Sequence, residues 1–116
     1  MHRYKELEIW KRAIVIAKST YALIVSFPDS QKYGLTNQMK RAAVSIASNI
    51  AEGAGRNGNK EFNQFLGIAI GSMYELETQL VIAKEVGYVN TEKSEIFTSQ
   101  IEELVKMTFG LKNKLK

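Results

Sequence analysis

The chain has 116 residues, of which 45% are hydrophobic and 24% charged, with a formal net charge of +4 and no cysteine. One domain with a packed core fits that length and apolar content, and disorder is not expected. The missing cysteine excludes disulfides, thiolate metal sites and cysteine nucleophiles.

The first residues, MHRYKELEIW, have no apolar stretch of the kind a signal peptide needs, and no later run approaches the ~18 apolar residues of a membrane span. A soluble, cytoplasmic protein is therefore expected. The charge is uneven: residues 1–58 hold nine Lys/Arg against four Asp/Glu, and residues 59–116 hold seven against eight. Residues 106–116 carry four lysines and no acid. This bias suits phosphate contacts with a nucleic acid and is equally that of a mildly basic solvated surface.

Pro28, the cluster Gly53, Gly55 and Gly58, and Gly87 divide the chain into four apolar-periodic segments. The first is predicted as a helix over 5–27. Leu7, Trp10, Ile14, Ala17, Tyr21 and Ile24 form one stripe, and Ile9, Ala13, Ile16, Leu23 and Phe27 form a neighbouring one. Together they cover roughly 200° of the helix, against a little over ~100° for an ordinary bundle helix. The excess predicts contact with the chain's own core on one flank and with another chain on the other.

The second helix, expected over 35–52, is rich in alanine and serine, with Met39, Ile46 and Ile50 as its large apolar residues. Asn49 lies near the apolar stripe and should be hydrogen-bonded if buried. The third, over 59–86, presents Phe62, Phe65, Leu66, Ala69, Met73, Leu76, Leu80 and Ala83 as a core face. Gly67 and Gly71 lie inside it, each costing about 1 kcal/mol relative to alanine, so close helix packing is expected there. The fourth, over 91–114, is expected to be capped by Thr91, with Glu92 and Glu95 at its positive end and Lys112, Lys114 and Lys116 at its negative end. Short connections between four helices predict an all-α, antiparallel up-down-up-down four-helix bundle forming one domain over 1–116.

The stretch SIASNIAEGAGR, residues 45–56, poses a choice between a phosphate loop and a helix corner. A phosphate loop of the Walker type follows a strand and ends in Lys-Ser/Thr, and neither holds here. The corner reading has Gly53 in the left-handed conformation closing the second helix, Gly55 adding freedom to turn, and Gly58 capping the third helix. Glu61 would reach back to that cap as half of a capping box.

Leu7, Trp10-Lys11, Phe27-Pro28, Tyr33-Gly34-Leu35, Gln38 and Lys40-Arg41-Ala42-Ala43-Val44-Ser45-Ile46 stand in a distinctive order. Asn49-Ile50-Ala51-Glu52-Gly53, Gly55-Arg56, Lys60-Glu61-Phe62, Phe65-Leu66, Gly71-Ser72 and Glu75-Leu76-Glu77 continue it. In this the chain resembles the small bacterial four-helix-bundle proteins encoded in intervening sequences of 23S rRNA genes. It is also similar to the accessory proteins of diversity-generating retroelements, which form basic pentameric barrels that bind nucleic acid and a reverse transcriptase. The resemblance spans about residues 7–83 and implies a ring-like homopentamer with no enzymatic activity. It departs from the usual pattern at Gly58, where serine is common, and at Lys40, where arginine is common and would supply a planar fork for phosphate.

Lys40, Arg41 and Arg56 are the first candidates for nucleic-acid contact, with Lys11 and Arg12 behind them. Structural readings stand beside these: Arg56 paired with Glu52, Arg41 holding the loop around Tyr33, and Lys11 and Arg12 on a solvated face. Asn49, Glu52, Gly53, Gly55, Glu61 and Gly71 are expected to be structural. No catalytic residues, metal ligands or cofactor are assigned. The single histidine, His2, sits at a terminus where fraying is expected, and Glu75 and Glu77 are two apart and so do not share a helix face. Trp10 is expected to pack in the core. Two functions follow: a non-enzymatic homo-oligomer, pentameric by resemblance, binding RNA or DNA through a basic surface; or an adaptor docking a protein such as a reverse transcriptase.

Overall fold

A computed structural model of the chain describes residues 2–116. Four helices make up most of it: α1 (Glu8–Ile24), α2 (Leu35–Ala54), α3 (Asn59–Glu85) and α4 (Thr91–Lys114), with no strand among the described residues. Each helix packs on its neighbours in order, α1 on α2, α2 on α3, α3 on α4 and α4 on α1, and the diagonal pairs bring no Cα atoms within 8 Å of each other. The result is the expected all-α four-helix bundle, 43 × 24 × 19 Å.

Antiparallel packing is plain in the α2–α3 contact, the most extensive of the four. Gly53 meets Phe65, Ser45 meets Ser72, and Gln38 shares a cleft with Gln79. As the α2 number falls the α3 number rises. Small residues along α2, among them Ala42, Ala43 and Gly53, allow the two backbones to lie close.

The first helix starts later than expected. Tyr4–Glu6 form a short 3-10 turn and Leu7 is extended, with φ −73° and ψ 127°. A helix unbroken from residue 5 would hold Tyr4 and Trp10 far apart around its axis. The break folds Tyr4 back, so that its ring meets Trp10 edge-on at 5.3 Å. The helix ends at Ile24, and buried Phe27 packs on Tyr88 at 5.4 Å between centroids. His2 is not frayed: its backbone N–H donates to Ala54 O at 2.9 Å, and its ring lies 4.9 Å from that of Phe62.

The core draws on both α1 stripes, most fully on the second, whose Leu23 is nonetheless only half-buried. Ile9, Ala13, Ile16 and Ile24 are buried together with Thr20, whose hydroxyl donates to Ile16 O at 2.8 Å. Leu7, Trp10, Ile14 and Ala17 pack half-buried against it, while Tyr21 is exposed. Trp10 is thus packing, as expected, at the margin of the core. Ile46, Ile50, Phe62, Leu66, Met73, Leu76 and Leu104 fill the centre.

The helix ends differ from the expected caps. Gly53 lies inside α2 and is buried, and the cap of α2 is Gly55 at φ −84°. Glycine is needed at 53 for space: a Cβ there would sit 2.6 Å from Phe65 Cβ. The left-handed turn comes after α3, at Gly87 with φ +86°. There Tyr88 N donates to Ala83 O at 2.8 Å and Gly87 N to Lys84 O at 3.0 Å, the paired bonds of a Schellman motif. Asn90, not Thr91, caps α4, its side chain accepting from Lys93 N at 2.8 Å. Gly58 is the extended N-cap of α3 without a side-chain bond, and Glu61 makes no hydrogen bond back to it. Gly67 and Gly71 are exposed, and no other element packs close on Gly71.

Candidate nucleic-acid interface

Adjacent helix positions point about 100° apart, and this separates the two best basic candidates. Lys40 leans toward α1, its Nζ 5.8 Å from the Tyr21 ring centroid. Arg41 faces α3 instead and lines an open cleft of about 630 Å³. Lys40, Arg41 and Lys11 make no ion pair with any described residue.

Arg56 and Arg12 are engaged elsewhere. Arg56 Nη2 bonds Glu52 Oε1 at 3.0 Å, and its guanidinium lies 4.8 Å from the Phe65 ring centroid. It also lies beyond the far end of α2, roughly 20 Å along the helix from Arg41. Arg12 reaches Glu103 on α4 and lies 3.7 Å from Glu8. Both pairs are exposed, and such pairs contribute only ~0–1 kcal/mol. Lys11 and Arg12 share a surface hollow of about 290 Å³ with Glu8, Val15 and Gln100. The five basic candidates therefore form no single cluster: Lys11, Lys40 and Arg41 are unpaired, and Arg12 and Arg56 are held by carboxylates.

The charge split of the sequence becomes a split between helix pairs. Five basic and two acidic residues lie on α1 and α2, against six and eight on α3 and α4. On the acidic side, burial and the nearby Glu102 push the Glu77 carboxyl above its ordinary range. Lys112 on α4 donates from Nζ to Asn63 O at 2.8 Å and Asn63 Oδ1 at 2.7 Å, so this tail lysine ties α4 to α3 rather than forming a free arm.

The distinctive motif on α2 is mainly architectural. Asn49 Nδ2 donates to Ser45 O at 2.8 Å and to Ser45 Oγ at 2.9 Å. Ser45 Oγ in turn shares a 2.9 Å bond with Ser72 Oγ on α3. This chain satisfies Asn49 and links the two helices, as expected of a half-buried amide.

The polar seam continues into the cleft beside Arg41. Asn37, Gln38 and Ser45 line it from α2, Glu75 and Gln79 from α3, and Tyr33 at its mouth. Tyr33 is 87% exposed and has the Lys32 ammonium 5.6 Å from its ring centroid. Gln79 is only 6% exposed, and its Oε1 has no hydrogen-bond partner. Leaving such an atom unsatisfied costs about 1–3 kcal/mol. Sequence reasoning missed Asn37, Gln79 and the role of Tyr33. The 3-4 spacing of Gln38, Arg41 and Ser45 carried a signal for the α2 wall, but nothing local marked Gln79 as facing it. Among the described residues no cluster of three or more His, Cys, Asp or Glu could hold a metal ion, and no helix is long and apolar enough to cross a membrane.

The sequence profile of the 23S rRNA-intervening sequence protein family matches residues 5–110. No curated protein matches the chain. Among solved structures, the chain is similar to a protein of unknown function from the S23 ribosomal protein family of Bacteroides thetaiotaomicron. The TM-score is 0.80 at 21% identity, over 89% of this chain and 96% of that one, which establishes a shared fold. The chain belongs to the 23S rRNA-intervening sequence protein family, for which these comparisons indicate no catalytic class.

Proposed function

We propose that the protein is a non-enzymatic, cytoplasmic homo-oligomer of five copies that binds RNA or DNA electrostatically through the α1–α2 side. The observation that carries this reading is the set of unpaired cations on those helices, Lys11, Lys18, Lys40 and Arg41, while acidic residues gather on α3 and α4. Unpaired cations are free to replace counterions at phosphates. In a closed ring a modest patch would repeat with each copy and its field would add.

Assembly is supported by the outer flank of α1. Tyr21, from the first apolar stripe, is 48% exposed beside the half-buried Ile14 and Ala17. That flank is the excess apolar arc of the sequence, and a second copy would cover it. The accessory proteins that the sequence resembles form basic pentameric barrels. The same flank supports the second reading, an adaptor docking a partner protein such as a reverse transcriptase, because an apolar strip beside Lys40 suits a protein surface as well.

Fluorescence anisotropy of labelled mixed-sequence RNA and DNA, at low and physiological salt, tests the first reading. Binding should weaken steeply with salt, the slope counting the phosphates neutralised. Replacing Lys11, Lys40 and Arg41 with Glu should abolish binding, whereas Arg56→Ala should change it little. Absence of binding at low salt refutes the nucleic-acid reading and leaves the adaptor. Sedimentation as a monomer refutes the assembly.

A further inference from the structure

The cleft between the start of α2 and the middle of α3 differs from the rest of the basic side. It holds one cation, Arg41, and one anion, Glu75, and these make no ion pair with each other. A bare phosphate would meet the Glu75 carboxylate, and a bare cation would meet Arg41. The remaining groups are amides and hydroxyls. The chemistry therefore selects a neutral ligand edge that both donates and accepts hydrogen bonds, joined to an anion near Arg41.

Three features narrow the ligand further. The volume, about 630 Å³, lies within the usual 300–1,000 Å³ of small-ligand sites. Gln79, nine-tenths buried at the cleft wall, has an unpartnered Oε1 that is closed to solvent until its carboxamide turns. Tyr33 presents an exposed ring at the mouth, next to the Lys32 ammonium. A flat ring, carboxamides carrying both donors and acceptors, and a guanidinium are the means by which proteins hold an unstacked base and its phosphate.

We propose that this cleft receives one nucleobase presented by a single-stranded nucleic acid. Tyr33 stacks on the base, the exposed amides of Gln38 and Asn37 bond its edge, the Gln79 carboxamide turns to add a third contact, and Arg41 holds the adjoining phosphate. The inference rests on the nucleic-acid reading above and adds to it the strand type and the contact point. A base within a duplex cannot enter, so single strands bind more tightly than duplexes of the same sequence.

The test uses the full chain and two readouts. In the first, anisotropy compares a short mixed-sequence single-stranded RNA with its duplex. Tyr33→Ala should reduce single-strand affinity roughly five- to a hundredfold, the range for one stacked base, and leave duplex affinity unchanged, with Tyr33→Phe restoring it. Tyr33 is exposed enough that the variant keeps the fold. In the second, nuclear magnetic resonance follows the side-chain amides of Gln79, Gln38 and Asn37 during titration with nucleoside monophosphates and, separately, ribose phosphate. Shifts with the monophosphates alone support the base site. Equal shifts with ribose phosphate, or a Tyr33→Ala variant with unchanged single-strand affinity, overturn it. If no strand binds at any salt while the monophosphates still shift Gln79, the strand-binding function falls and the base site stands. If neither strands nor monophosphates bind, both fall.

Discussion

Replacing Gly53 with alanine should weaken the bundle, although alanine is the better helix former. Gly53 sits inside α2, where the exchange alone would gain about 1 kcal/mol. The new Cβ, however, would lie 2.6 Å from Phe65 Cβ, 3.0 Å from Phe62 Cδ1 and 3.3 Å from Phe62 O. Comfortable carbon–carbon contact needs about 3.5–4.0 Å, so the shortfall at Phe65 is near ~1 Å. Phe65 Cβ is fixed to the α3 backbone and no rotamer moves it away. The two helices must part or bend. Overpacking of this kind costs about 1–3 kcal/mol, and the backbone-anchored contact places it at the upper end, for a net loss of about 2 kcal/mol. Gly71→Ala is the control: no neighbouring element lies within 4 Å of a Cβ there, so the full gain of about 1 kcal/mol should appear. Urea denaturation followed by circular dichroism, at fixed protein concentration, should move the two midpoints in opposite directions with similar slopes. A Gly53→Ala protein as stable as the parent would refute the close approach of α2 and α3. Loss of stability in Gly71→Ala would place that exposed face against another copy.

Asn90→Ala should cost about 1 kcal/mol in urea unfolding, because the α4 cap bond to Lys93 N is removed, while Thr91→Ala should cost less. Lys112→Met should cost about 1 kcal/mol, since two bonds to Asn63 are lost at a half-buried site, and hydrogen exchange should rise at the C-terminal turns of α4. Glu77 has a folded-state pKa raised above 4.5 by burial and by Glu102, so its charged form opposes folding. That penalty is present above the folded pKa and disappears as pH falls below the unfolded one. Glu77→Gln should therefore raise the melting temperature at pH 7 and leave it unchanged at pH values below about 4.

The bundle was legible because apolar periodicity reports core burial directly, and Pro28, the Gly53–Gly58 region and Gly87 separate its four runs. The caps were harder to read. A glycine near a helix end has two physical uses, a left-handed backbone or the absence of a Cβ, and sequence does not distinguish them. Gly87 uses the first and Gly53 the second, the reverse of what the run NIAEGAGR suggests by itself. On α1 the two stripes were found, but which of their residues are buried depends on how α1 lies against α2 and α4, which no local pattern encodes. Arg56 could be read as a pair with Glu52 from its four-residue spacing. Arg12 could not be matched to Glu103, since that contact exists only once α1 lies on α4.

One helix carries both the tightest packing and the proposed site, and the two are linked through the antiparallel register. Close approach at Gly53 and Phe65 sets how α3 lies along α2, and the Ser45–Ser72 bond holds that setting at mid-helix. Farther along, the small residues give way to Arg41, Gln38 and Asn37. Their longer side chains border an opening where the seam would otherwise continue, and Gln79 is left at its wall without a partner for Oε1. The cleft is thus the place where a tightly packed seam opens, with its polar walls held by the contacts below. Loosening the seam at Gly53 should therefore disturb the amide positions in the cleft about 20 Å away along the helix. A folded but destabilised Gly53→Ala protein with altered Gln79 side-chain resonances would show that packing and site share one support.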